Sequence, residues 1–367
     1  MTSTTALTAW QKKQAALLYY FASFDYLKGL YERVHQLQDY ADAILDKSRY
    51  EGRDRFLRDA RWGDRDTSEN WSNHAWAFLA DFGLSVLKDM ANRQSQIYSI
   101  TGASQCARGM AEFSMQWTTL TEQEKFDSLL ESVVHYAGYI DKTMDKSHRA
   151  GRWNDFRLAM AWTEHSSLFT NLSVFKIRED LVSETGKVPP KTGVYISTDH
   201  SEGSLQFAWN GDEHGTLREC AIFNNLGKSA LASVGRSKLW LDGEAMLRFV
   251  QQNLNSRELI SDSYFAKSHT PILAPSLVAR NAFTSAPSRW CYVELVEGEF
   301  EPIDEEKDLP ESEQRRRVES GNRCDISGFY FSPASLNSRR HFKEGDIFPS
   351  LNSTYGNTIW QWDEKQD

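Results

Sequence analysis

From Trp10 to Ile44, apolar side chains recur every three or four residues: Trp10, Leu17, Tyr20, Phe21, Phe24, Leu27, Tyr31, Val34, Leu37 and Ile44. That spacing places them on one helix face and predicts a single long helix with one buried stripe. After a charged connector, Ser48–Arg65, the period resumes from Glu69 to about Ile100 with Trp76, Leu79, Phe82, Val86, Leu87 and Met90. A break at Gly102 and a short helix around Met110–Trp117 follow. Thr121-Glu122-Gln123-Glu124 has the form of a capping box opening a helix with Phe126, Leu129, Leu130, Val133, Tyr136 and Ile140. A last helix is expected over Trp153–Val182. Short connections favour antiparallel packing of these helices as a bundle.

The pattern then changes. The segment 184–193, ETGKVPPKTG, stops a helix and marks a domain junction. Beyond it, Val194–Ser197, Leu205–Trp209, Leu217–Phe223, Trp290–Val296, Gly328–Phe331 and Thr358–Trp362 read as strands separated by turn residues. Helical pieces are expected at Lys228–Val234 and Gly243–Asn253. The predicted fold is α+β: an antiparallel helical bundle over residues 1–186, then a mixed, β-rich domain over 187–367. A chain of 367 residues suits two domains or one large composite core.

Charge narrows the partners. The net charge is −9, with −3 on residues 1–186 and −6 on the remainder. An acidic chain is a poor ligand for nucleic acid or an anionic membrane and a good one for a basic protein. No apolar run reaches the ~20 residues of a membrane span. The apolar run Ala15–Ala22 behind Lys12 and Lys13 is followed at once by Asp25 and Lys28, so it reads as a helix rather than a targeting segment. A cytoplasmic protein is expected.

Four candidate chemistries fail on spacing. Leu226-Gly227-Lys228-Ser229 ends like a phosphate-binding loop, but Ile222 stands where the first glycine is needed. Asp199-His200-Ser201 are consecutive, whereas a triad is assembled from distant segments. Glu164-His165 lacks the second histidine of a zinc helix. The cysteines at 106, 220, 291 and 324 form no CxxC and read as reduced thiols. No enzyme activity, cofactor or metal is expected.

What remains is an acidic run. Between Glu294 and Glu313 lie ten carboxylates and one lysine. Such a run is ordinarily a solvated loop; read functionally, it steers a basic partner. The candidate contact residues are Glu299, Glu301, Asp304, Glu305, Glu306 and Asp308, with Asp212 and Glu213 in a strand-connecting turn as a second patch.

Several phrases of the second half form a set: Leu205-Gln206-Phe207-Ala208-Trp209-Asn210-Gly211, Gly235-Arg236-Ser237-Lys238-Leu239-Trp240, and Cys324-Asp325-Ile326-Ser327-Gly328-Phe329-Tyr330. Their order resembles a family of immunity proteins of bacterial polymorphic-toxin and type VI secretion systems, whose QFAWxG, GRxxLW and CxxSGxY patterns follow a helical half. The resemblance implies a non-catalytic protein that binds and neutralises a cognate toxin, often a nuclease. It supplies no catalytic positions. Two alternatives stand beside it: a hydrolase with a dispersed site drawn from Glu164, Asp199 and His200, and a non-catalytic adaptor of a secretion apparatus.

Overall fold

The computed structural model describes residues 6–59, 63–262, 270–303, 317–324, 327–332, 335, 338–351 and 358–363. The chain forms two compact units, one of residues 1–229 with 240–303 and the other of residues 230–239 with 304–367.

The first unit begins with α1 (Ala9–Ala22) and α2 (Phe24–Glu51), where the periodicity predicts one helix. Ser23 separates them: its backbone is extended, and its hydroxyl accepts from the Tyr26 N–H at 3.1 Å to cap α2. A one-residue break leaves the three-four spacing almost in phase, which is why the stripe runs through it. Gly52, with φ of 64°, ends α2 in the left-handed conformation that glycine adopts without strain.

Next come α3 (Asp54–Arg58), α4 (Ser68–Gln94), α5 (Ala103–Met110), α6 (Leu120–Met144) and α7 (Asp155–His165). The capping box of α6 is Thr119 with Glu122, two residues before the predicted pair. Both TxxE pairs fit the pattern, but Glu122 also receives Arg53 and Lys47, at 2.5 and 2.8 Å. The expected helix Met110–Trp117 lies earlier, as α5, and Trp117 is buried in the turn that follows.

The larger correction concerns residues 153–182. α7 stops at His165, and Leu172–Glu184 is a strand, β1. Its apolar positions satisfy a helical period as well as an alternating one. Pairing decides: β1 runs antiparallel to β6 (Arg289–Glu301), more than a hundred residues away. With β2 (Gly193–Ser197) and β3 (Gln206–Ala208) they form a four-stranded antiparallel sheet in the order β1-β6-β2-β3. A separate ribbon joins β4 (Cys220–Phe223) to β5 (Phe283–Ala286). The helices α8 (Asn225–Val234), α9 (Gly243–Gln252), α10 (Arg257–Ile260) and α11 (Ala274–Asn281) lie between β4 and β5 in the chain. One core unites the bundle and the sheet: Phe21 stacks on Tyr139 and Trp153 at 4.7 and 5.7 Å, and Leu17, Val194 and Val293 are fully buried in the same cluster.

In the second unit, β7 (Arg317–Glu319), β8 (Gly328–Phe331), β9 (Arg340–Phe342) and β10 (Ile359–Trp362) form an antiparallel sheet in the order β7-β10-β8-β9. Its core is small and aromatic: Cys324, Tyr330, Phe342, Phe348 and Trp360. The architecture is α+β as expected, with helices α1–α7 packed together ahead of antiparallel sheets.

Candidate functional site

The strand β6 changes character along its length. Trp290, Cys291, Tyr292 and Val293 are buried between β1 and β2, and the Tyr19 hydroxyl donates to the Val293 carbonyl at 2.5 Å. Beyond Val296 the register jumps. Val174 pairs with Val296, but its neighbour Ser173 pairs with Phe300. Glu297, Gly298 and Glu299 have no counterpart on β1 and bulge out of the ladder. Gly298 sits at φ of 76°, which favours glycine there. An added Cβ would meet nothing within 4 Å, so conformation and not space sets the requirement.

The four glutamates of this strand are in two electrostatic states. Glu294 accepts from Arg178 through both oxygens, at 3.1 and 3.0 Å, with Lys191 at 3.8 Å. Glu301 pairs with Lys12 at 2.8 Å, which ties the strand end to α1. Glu297 and Glu299 are exposed and make no ion pair among the described residues. Beside them Phe300 leaves 67% of its surface in water. Two carboxylates with no ion pair among the described residues thus share one bulge, with an exposed aromatic ring beside them.

Of the predicted contact residues, Glu299 lies at this bulge and Glu301 is neutralised next to it. Asp304, Glu305, Glu306 and Asp308 lie outside the described residues. Asp212 is built into its turn: it accepts from the Trp209 indole at 3.1 Å and from the His214 N–H at 2.7 Å. Glu213 is exposed. Because β6 and β3 both run antiparallel to β2, this turn and the bulge leave the sheet at the same end. Glu297 and Phe300 are absent from the predicted set. The signal for them was a glycine between two glutamates inside a strand pattern, which marks a bulge.

The dispersed residues of a hydrolase have separate partners. Glu164 on α7 meets His135 at 2.7 Å and the Tyr139 hydroxyl, both on α6. Burial raises its proton affinity, but these two hydrogen bonds together with the charge of His135 and His165 outweigh it and hold the carboxyl below its usual range. Asp199 accepts from the Arg289 N–H at 2.7 Å, and the His200 ring meets the Pro287 carbonyl at 3.3 Å. An open cleft of about 620 Å³ lies elsewhere, lined by Arg65, Asn70, His74, Glu112 and Phe113, with His74 stacked on Phe113. Among the described residues, no group of three or more His, Cys, Asp or Glu could hold a metal ion, and no helix is long and apolar enough to cross a membrane.

The family-like phrases specify interior structure. Gln206 binds the backbone of Arg218 and Glu219, at 3.0 and 2.8 Å. Trp209, Trp240, Trp290 and Trp360 are buried. Trp240 adopts a left-handed φ of 72° and donates to Asp155 at 2.7 Å. Cys324 and Tyr330 belong to the second core. All four cysteines are buried, Cys106, Cys220 and Cys291 are free thiols, and burial pushes the Cys106 and Cys220 thiols up to about 12. Compared with protein-family models, curated proteins and solved structures, the chain matches none.

Proposed function

We propose that this protein is a non-catalytic immunity protein that binds and neutralises a cognate toxin of a type VI secretion system, a nuclease acting in the cytoplasm. The observation that carries the reading is the bulge of β6. A nuclease must hold phosphates in a basic groove. Glu297 and Glu299 offer that groove exposed negative charge, and Phe300 offers the exposed aromatic surface typical of an interface centre. The net charge of −9 and the ordered set of sequence phrases point the same way.

The test is co-purification with the product of the adjacent gene, together with growth of cells expressing that product. A complex that survives gel filtration at micromolar concentration, and rescue of growth, are expected. Glu297→Lys with Glu299→Lys slows association about tenfold or more at low salt and much less at high salt, where charge is screened. No complex at micromolar concentration, or rescue without binding, refutes the reading.

A further inference from the structure

The helix α4 turns Trp71, Leu79, Phe82 and Val86 into the core. Its opposite side faces water and by amphipathic logic should be polar. It is not. Ala77, Ala80, Leu84, Leu87 and Ala91 fall at alternating intervals of three and four, and all but half-buried Ala80 are exposed. Leu84 and Leu87 leave 65% and 46% of their surface in water. Alternating threes and fours are the spacing of a coiled-coil seam, here about 21 Å long at 1.5 Å per residue. Asp81 and Lys88 border the seam on one flank, two turns apart, and neither makes an ion pair among the described residues.

We propose that this seam joins two copies of the chain, with their α4 helices antiparallel about a twofold axis at Leu84–Ser85. Asp81 and Lys88 stand equally far from that axis, one on each side. A twofold antiparallel pair therefore sets Asp81 of each copy against Lys88 of the other, making the contact twice. A parallel in-register pair offers neither charge its opposite. The alanines at both ends of the seam allow close approach, while the leucines fill its middle. A four-turn seam is smaller than a standard interface, so the dimer is weak and concentration-dependent. The contact is independent of the toxin-binding reading, because it uses a helix of the bundle and not the β6 bulge.

Sedimentation velocity of the full chain, from low micromolar to several hundred micromolar, tests the proposal. A monomer–dimer equilibrium is expected, and Leu84→Glu abolishes it while circular dichroism stays unchanged. Asp81→Lys and Lys88→Asp each weaken the dimer about fivefold, because two symmetry-related pairs turn repulsive. The double exchange Asp81→Lys with Lys88→Asp returns it to within about twofold of the original. Disulfide formation by Leu84→Cys, but not by Ala77→Cys, marks the antiparallel arrangement. A wild type that stays monomeric, a dimer that survives Leu84→Glu, or a double exchange that fails to restore association overturns the proposal. So does a monomeric wild type whose Leu84→Glu variant loses only the adjacent gene product, which would assign the seam to that partner.

Discussion

Replacing Asp155 by alanine removes the acceptor of two indoles at once. One carboxylate oxygen accepts from Trp240 at 2.7 Å and the other from Trp10 at 2.8 Å, and the residue keeps only 2% of its surface exposed. A hydrogen bond to a charged group contributes about 1.5–3 kcal/mol, and a buried donor left unpaired costs about 1–3 kcal/mol. Trp240 is 3% exposed and loses its acceptor without access to water, whereas half-buried Trp10 regains a water partner. Removing the carboxylate also removes its own desolvation cost, which lowers the sum. The expected loss for Asp155→Ala is about 3 kcal/mol, largely the Trp240 share. Asp155→Asn, which keeps the shape but turns one acceptor into a donor, is expected to lose about 2 kcal/mol. Urea denaturation followed by tryptophan fluorescence measures both, with an unchanged m value showing that the denatured state is unaltered. Trp240→Phe in the Asp155→Ala background should then cost much less than in the wild type, because the N–H it deletes is already unpaired. A loss below about 0.5 kcal/mol for Asp155→Ala, or strict additivity with Trp240→Phe, refutes the role assigned to this clasp.

Three further outcomes are expected. Glu122 receives hydrogen bonds from Arg53, Lys47 and Thr119, which hold its carboxyl well below the usual range against the opposing effect of burial. Its folded proton affinity lies below the unfolded value of about 4.3, so its contribution is complete above about pH 5 and fades as pH falls through the folded value. Glu122→Gln should therefore destabilise the protein at pH 7 and flatten the fall in stability towards pH 3, as read by denaturation at a series of pH values. Gly298→Val forces a β-branched side chain into a left-handed position and is expected to cost about 1–2 kcal/mol; a neutral result would show that the bulge is not held at that φ. Cys324→Ser should retain toxin neutralisation wherever the variant folds, and loss in a well-folded variant, checked by circular dichroism, would assign the thiol a part in binding.

Local rules made the bundle readable, and non-local pairing hid most of the rest. The stripes of α2, α4 and α6 are visible because a helix buries one face at a fixed period. β1 was misread because its identity as a strand depends on β6, far along the chain. The acidic run drew attention to Glu299 and Glu301. Sequence alone could not reveal that Lys12 neutralises Glu301 or that Asp212 is spent on its own turn. Nor did a count of carboxylates single out Phe300, which is exposed beside the bulge.

The second irregularity of the β1–β6 ribbon bears on self-association of another kind. At the edge of the sheet, the β1 register skips from Arg178 to Val182, and Glu179, Asp180 and Leu181 drop out of the ladder. Arg178 and Asp180 close on each other across the gap at 2.8 Å. A foreign strand approaching this edge finds two short templates separated by charge instead of one of thirteen residues. The longest edge strand described in the first unit is thereby a poor template for sheet growth.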